Sequence, residues 1–250
     1  MARAPAGRLG WGPRASLALQ RGVAYALAPL TLPAVTGILR FGLGYRVEGL
    51  RALRREYRRI RREGDAPLLI CANHLTLIDS FLIGWALGSP GSYLRDFASL
   101  PWNLPERRNF AATPAMRAFI YAFKCLSIER GGPRRDVGRV LDRFAQLLAS
   151  GEVGLVFPEG GRSRTGRVDP ETAAYGVGRL VRAVPDCRVL CLYLRGERQT
   201  GYSDWPVRGD RFHVSLGWVE PKTDRSGLRG SREIAQQILS RIAEMEREAR

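Results

Sequence analysis

Three short apolar runs constrain the fold more than any other feature: Leu68-Leu69-Ile70-Cys71-Ala72, Val153-Gly154-Leu155-Val156-Phe157 and Val189-Leu190-Cys191-Leu192-Tyr193-Leu194. Each is the length of a strand, has no polar residue to turn toward water, and so reads as a strand buried within a sheet. Phe212–Trp218 reads as another. Helical spacing fills the intervals: Val137, Val140, Leu141, Phe144, Leu147 and Leu148 form one apolar stripe over 136–150. Tyr175, Val177, Leu180 and Val181 form a second over 172–184, and 231–248 closes the chain as a helix. Strands alternating with helices define an α/β chain, a mixed sheet flanked by helices on both faces. No internal repeat is visible. At 250 residues and 45% hydrophobic content, the chain can bury one substantial core.

The first 50 residues read as a separate, membrane-associating helical segment, with the α/β domain over 51–250. Gly22 to Leu39 are eighteen residues without a charge, the lower bound of a membrane span. Pro29 and Pro33 interrupt that stretch and Arg21 and Arg40 flank it. The pattern predicts a pair of shallow helices lying in the bilayer interface rather than one straight crossing. Next comes a strongly basic helix over 51–63, with Leu53, Tyr57 and Ile60 on one face and Gly64 at its end. The net charge of +16 is almost all arginine, since the only lysines are Lys124 and Lys222. Such a surface favours anionic partners, either membrane phospholipid or nucleic acid. No nucleic-acid-binding motif accompanies the charge, so an anionic membrane surface is the expected partner, each arginine adding about 1 kcal/mol of attraction. A plain solvated helix face is the alternative.

One of only two histidines stands in Asn73-His74-Leu75-Thr76-Leu77-Ile78-Asp79, between the first apolar strand and an amphipathic helix beginning near Asp79. A carboxylate on one imidazole nitrogen fixes the tautomer of the other, which makes His74 and Asp79 a candidate general base and its orienting partner. Asp79 as a simple helix cap is the competing reading. Downstream, Phe157-Pro158-Glu159-Gly160-Gly161-Arg162-Ser163-Arg164 ends an apolar strand in a glycine-rich turn with a carboxylate and two arginines. Glycine lets the backbone approach a ligand, and arginine forks pair with phosphate or carboxylate; solvated charges on a strand-to-helix turn are the alternative. Cys125–Gly132 reads as a further strand delivering Arg130. His213 reads as structural. There is no Gly-x-Ser-x-Gly to present a serine nucleophile. Cys187 and Cys191 stand about 13 Å apart if extended, and no zinc spacing occurs, so neither metal nor cofactor is expected. Cys71 and Cys125 read as packed thiols, and this cysteine usage fits a reducing compartment.

The order Asn-His-x-x-x-x-Asp, then an apolar segment ending in arginine, then Phe-Pro-Glu-Gly-x-Arg-Ser resembles the glycerolipid acyltransferases, notably those that acylate 1-acylglycerol-3-phosphate. The resemblance spans roughly 66–200. Gly161 stands where the family most often has threonine, and the family's valine-proline block finds no proline in 189–194. The resemblance implies transfer of an acyl chain from acyl-CoA or acyl-carrier protein to a lysophospholipid hydroxyl at the cytoplasmic face of a membrane, by a peripheral or monotopic enzyme. His74 and Asp79 would be catalytic, and Arg130, Glu159, Gly160, Arg162 and Ser163 would bind the acceptor, with Arg164 assisting. Glu159 would bond a glycerol hydroxyl or order the arginines. Acylation of another lysolipid such as a lyso-aminolipid, thioester hydrolysis, and non-catalytic membrane binding are the rival readings. Leu94–Phe110, with Phe97, Trp102 and Leu104, either lines an acyl-chain tunnel or contacts the bilayer.

Overall fold

The computed structural model describes residues 9–110 and 113–249. Six strands form one mixed sheet: β1 (Arg46–Val47), β2 (Leu68–Ala72), β3 (Trp102–Asn103), β4 (Gly154–Val156), β5 (Arg188–Gly196) and β6 (Arg211–Val219). Their spatial order is β1-β6-β5-β2-β4-β3. Strands β3, β4, β2 and β5 run parallel, while β6 lies antiparallel to β5 and carries β1 at the edge. The central strand β2 has no exposed residue, and its side chains alternate between two cores. Leu69 and Cys71 point into one with Phe144, Leu148, Cys191, Ile238 and Leu239. Leu68, Ile70 and Ala72 point into the other with Tyr57, Ile60, Ile83 and Leu192.

Helices cover both faces, as the alternating pattern requires. On the first face lie α7 (Arg134–Ala149), α8 (Tyr175–Ala183) and α9 (Gly227–Glu248); on the second lie α2 (Leu50–Arg62) and α3 (Asp79–Leu87). Short helices α4 (Pro90–Arg95), α5 (Arg107–Phe110) and α6 (Pro114–Ala122) edge the sheet near β3. In α8 the stripe is narrower than expected, because Tyr175 is exposed while Val177 and Leu180 are buried. Helix α3 is not amphipathic: Asp79, Leu82, Ile83, Trp85, Ala86 and Leu87 are all buried, because it is wedged between sheet and neighbouring helices.

Two further elements differ from expectation. Residues 125–128 form no ladder strand; they make only isolated parallel bridges, Asn103 to Cys125 and Glu106 to Ile128, along the sheet edge. The N-terminal segment is one continuous helix, α1 (Trp11–Gly37), extended by a π turn over Ile38–Gly42, with no break at Pro29 or Pro33. Both prolines are exposed and lie four residues apart on one side, so the packed side is untouched. That packed side is the stripe Leu17, Gln20, Ala24 and Ala28, continued by Leu39 in the π turn. Outward, Trp11, Leu19, Leu30, Ile38 and Phe41 are exposed. By length and composition alone this helix is apolar enough to cross a membrane.

Polar contacts tie α1 to the domain. Gln20 Nε2 donates to the carbonyl of Cys125 at 2.9 Å, and Arg21 Nε donates to Glu152 Oε1 at 2.6 Å. Glu152 Oε2 also accepts from Trp102 Nε1 at 2.8 Å and meets Lys124 Nζ at 2.6 Å. Lys124 has no exposed surface, and burial pushes its ammonium down to about 8. Its other partners are the carbonyls of Phe97 and Leu100. Trp102, expected either in a tunnel or at the bilayer, is instead fully buried on edge strand β3.

Candidate active site

The site forms where β2 and β4 end side by side. Parallel strands deliver their following loops to one edge of the sheet, where ligands of open α/β sheets commonly bind. Asn73, one residue past β2, is buried and continues the pairing in side-chain form. Its Nδ2 donates to Leu194 O at 2.9 Å, and Leu194 N–H donates to its Oδ1 at 2.8 Å. The chain then turns sharply, and Asp79 organises that turn from the first residue of α3. Asp79 Oδ2 accepts from Leu75 N at 2.6 Å and Thr76 N at 2.8 Å, and Oδ1 accepts from the Thr76 hydroxyl. His74 Nδ1 lies 2.9 Å from Asp79 Oδ2. The carboxylate caps no helix; it holds the loop and the imidazole together. Nδ1 is therefore the protonated nitrogen facing the carboxylate, and Nε2 has no protein partner among the described residues.

The glycine-rich turn closes over this loop from β4. Glu159 Oε1 accepts from His74 N at 2.9 Å, and Ser163 N donates to His74 O at 2.8 Å, so both main-chain groups of the histidine are held. Phe157 stacks on the imidazole, ring centres 4.0 Å apart and planes at 14°. Burial raises the Glu159 carboxyl to about 8, and the nearby charges of Asp79, Glu246 and Asp169 push the same way against the lowering His74 bond. Glu159 thus serves the histidine's backbone and makes no bond to either arginine. Gly160 has φ +67° and a Cβ there would stand 2.8 Å from Ala174 Cβ, so only glycine fits without strain. At Gly161 an added Cβ would meet nothing closer than Arg130 Nη1 at 3.7 Å, so this position has room for a side chain. Ser163 Oγ is spent inside the turn, donating to Arg167 O at 2.6 Å.

His74, Arg130 and Arg162 line one cleft, with Phe81, Leu104 and Phe157 on its apolar walls. Arg130 Nε pairs with Glu106 Oε2 at 3.3 Å, not with Glu129 or Asp169. Arg162 Nη1 donates to Asp204 Oδ1 at 2.6 Å and Ser203 O at 3.1 Å, and its guanidinium lies 5.4 Å from the Tyr202 ring centre. The 202–204 loop also bonds the histidine loop, Leu77 N to Asp204 O and Ser203 N to Leu75 O. Arg164 is exposed and outside this cleft. His213 lies 3.5 Å from Glu48 on the far edge of the sheet.

Glu106, Ser203 and Asp204 escaped the sequence reading because they stand 24, 41 and 42 residues from the arginines they meet. A lone acid in a loop carries no spacing signal. Asn73 was visible beside His74, but its splinting role needs knowledge of which strand lies next to β2.

The structure is thus a mixed α/β sheet with a carboxylate-held histidine facing an arginine-lined cleft at the ends of its parallel strands. The acyltransferase family profile matches residues 45–206, more than half of the chain and the whole of this site, and the protein belongs to that family. Its activity is therefore acyl transfer in lipid metabolism. A search of characterised individual proteins gave no match.

Proposed function

We propose that the protein transfers an acyl chain from acyl-CoA or acyl-carrier protein to the free hydroxyl of a lysophospholipid, 1-acylglycerol-3-phosphate being the acceptor the site suits best. The observation that carries this reading is the 2.9 Å Asp79–His74 contact, which leaves Nε2 as the free ring nitrogen in a cleft shared with Arg130 and Arg162. Nε2 takes the proton of the acceptor hydroxyl as its oxygen attacks the thioester carbonyl. The carbon–sulfur bond breaks, and the imidazolium returns the proton to the departing thiolate. Asp79 stabilises the imidazolium without itself being protonated. Because both substrates are bound together, no acyl-enzyme is needed.

Arg130 and Arg162 grip the phosphate. Each is held by a carboxylate, Glu106 or Asp204, that fixes the fork while leaving donors free. Glu159, Gly160 and Ser163 act through shape, keeping the histidine's main chain in place. Two apolar cavities adjoin the cleft and suit acyl chains. One runs beneath α1 between Leu32, Val35, Phe81 and Trp85; another lies beyond Phe157, between Ile128, Leu141, Val177 and Leu180. The outward apolar side of α1 supports monotopic embedding at the cytoplasmic face, where both substrates meet.

The test is a labelled acyl thioester with 1-acylglycerol-3-phosphate, wild type against His74→Ala. Loss of general-base help costs about 10²–10⁴-fold. Diacyl product from the variant within tenfold of wild type would sink the mechanism. Product with a lyso-aminolipid only would replace the acceptor, and free fatty acid without diacyl product would mean a hydrolase.

A further inference from the structure

A second anion site lies away from the histidine. Between α2 and α4 opens a pocket whose rim carries Arg58, Arg61, Arg62 and Arg95 against a single carboxylate, Asp96. The acids in and just after α2 do not compensate it. Glu56 and Glu63 both pair with Arg59, each at 2.6 Å, and among the described residues none of the four rim arginines has a carboxylate within ion-pair distance. Arg61 adds a buried Nε with no partner, and an orphaned donor of that kind is costly unless a ligand meets it. The floor is preformed: Tyr57 is buried, and its hydroxyl donates to Ser99 O at 2.6 Å, fixing α2 to the 90–99 segment.

That segment stands between the pocket and the apolar helix. On its other side, Tyr25 of α1 packs edge-on to Phe97 at 5.1 Å, and Arg21 lies over the same ring at 5.6 Å. One short helix thus separates four uncompensated arginines from the exposed apolar residues of α1. We propose that this pocket binds the phosphate of an anionic phospholipid headgroup, a discrete docking site that orients the enzyme on the bilayer, apart from the catalytic cleft. Arginine forks suit phosphate oxygens in two-point contact. The read-out is binding, so the proposal stands or falls without the acyl-transfer chemistry.

The experiment compares two charge-matched double variants of the full chain by flotation with vesicles of phosphatidylcholine, with and without phosphatidylglycerol. Arg58→Gln/Arg95→Gln removes two rim charges; Arg51→Gln/Arg55→Gln removes two from the same helix or its neighbourhood but outside the pocket. The expected result is at least a tenfold loss of the phosphatidylglycerol-dependent binding in the first variant and less than twofold in the second. Equal losses would overturn the site in favour of diffuse surface charge. Unchanged vesicle binding with a raised KM for acyl-CoA would overturn it in favour of a soluble phosphorylated co-substrate. Circular dichroism confirms that both variants are folded, since all four side chains are exposed.

Discussion

Replacing Glu159 with glutamine is expected to stabilise the protein above neutral pH, although the residue sits in the most recognisable turn of the site. Its carboxyl is raised from the ordinary 4.5 to about 8, burial being the main cause. A carboxyl that stays protonated in the native state holds a proton the unfolded chain has already lost between those two values. The native state therefore binds more protons there, and stability falls as pH rises from about 4.5 to 8, after which the penalty is constant. At about 1.36 kcal/mol per unit, the full shift amounts to about 5 kcal/mol, and relaxation of the site with entering water brings the expected penalty to about 2–4 kcal/mol. Glutamine keeps an oxygen to accept from His74 N and carries no charge to desolvate. Chemical denaturation of wild type and Glu159→Gln at pH 5, 7 and 9 would read the difference directly. The variant should gain little at pH 5 and most at pH 9, with acyl transfer at pH 7 reduced less than tenfold. A pH-independent difference, or a variant less stable at pH 9, would refute the argument that Glu159 is neutral and serves the backbone. Glu159→Ala is the contrasting case: it leaves the His74 N–H without its acceptor, and activity should fall much further.

The other perturbations follow from the same accounting of partners. Asp79→Asn can no longer accept all four of its bonds, so buried donors are stranded; about 1–3 kcal/mol each should appear as a lower melting temperature together with loss of activity. Gly160→Ala places a side chain at φ +67° and against Ala174; about 1–2 kcal/mol of destabilisation is expected, measurable by urea unfolding, whereas Gly161→Ala should be close to neutral. Glu152→Ala strands the buried Lys124 and should cost about 3–5 kcal/mol, while Glu152→Leu/Lys124→Met, which removes both charges, should recover much of that in the same denaturation assay.

Periodicity exposed the layers because burial on both faces leaves β2 and residues 189–194 of β5 uniformly apolar, and packing on one face leaves α2 and α7 with a stripe at helical spacing. The histidine loop was legible for a related reason, since Asp79 makes its key bonds within five positions, whereas the glycine turn was legible by its composition and its bonds to His74 were not. What stayed hidden depended on neighbours remote in the chain. Residues 125–128 carry strand-like composition yet have only β3 beside them, and β3 is two residues long, so two bridges form where a ladder was expected. Proline signals were misleading in α1 because a propensity of this kind assumes an exposed helix in isolation; here the stripe from Leu17 to Leu39 packs on the domain and both prolines face outward.

The mode in which α1 is held bears on how such an enzyme meets its substrates. A helix anchored by Gln20, Arg21 and a row of small alanines cannot swing free of the domain without breaking buried polar contacts, so its position relative to the cleft is fixed by folding. The residue that receives Arg21, Glu152, directly precedes the run into β4, and β4 leads within three residues to Glu159, the acceptor of the His74 N–H. Lys124, on the opposite side of Glu152, is followed at once by Cys125, whose carbonyl binds Gln20 and whose chain continues to Arg130. The same buried ion cluster that seats the apolar helix therefore sits at the base of both segments that furnish the cleft. The apolar helix and the cleft edge are thus built on one foundation, so the position of α1 relative to His74 is set by folding.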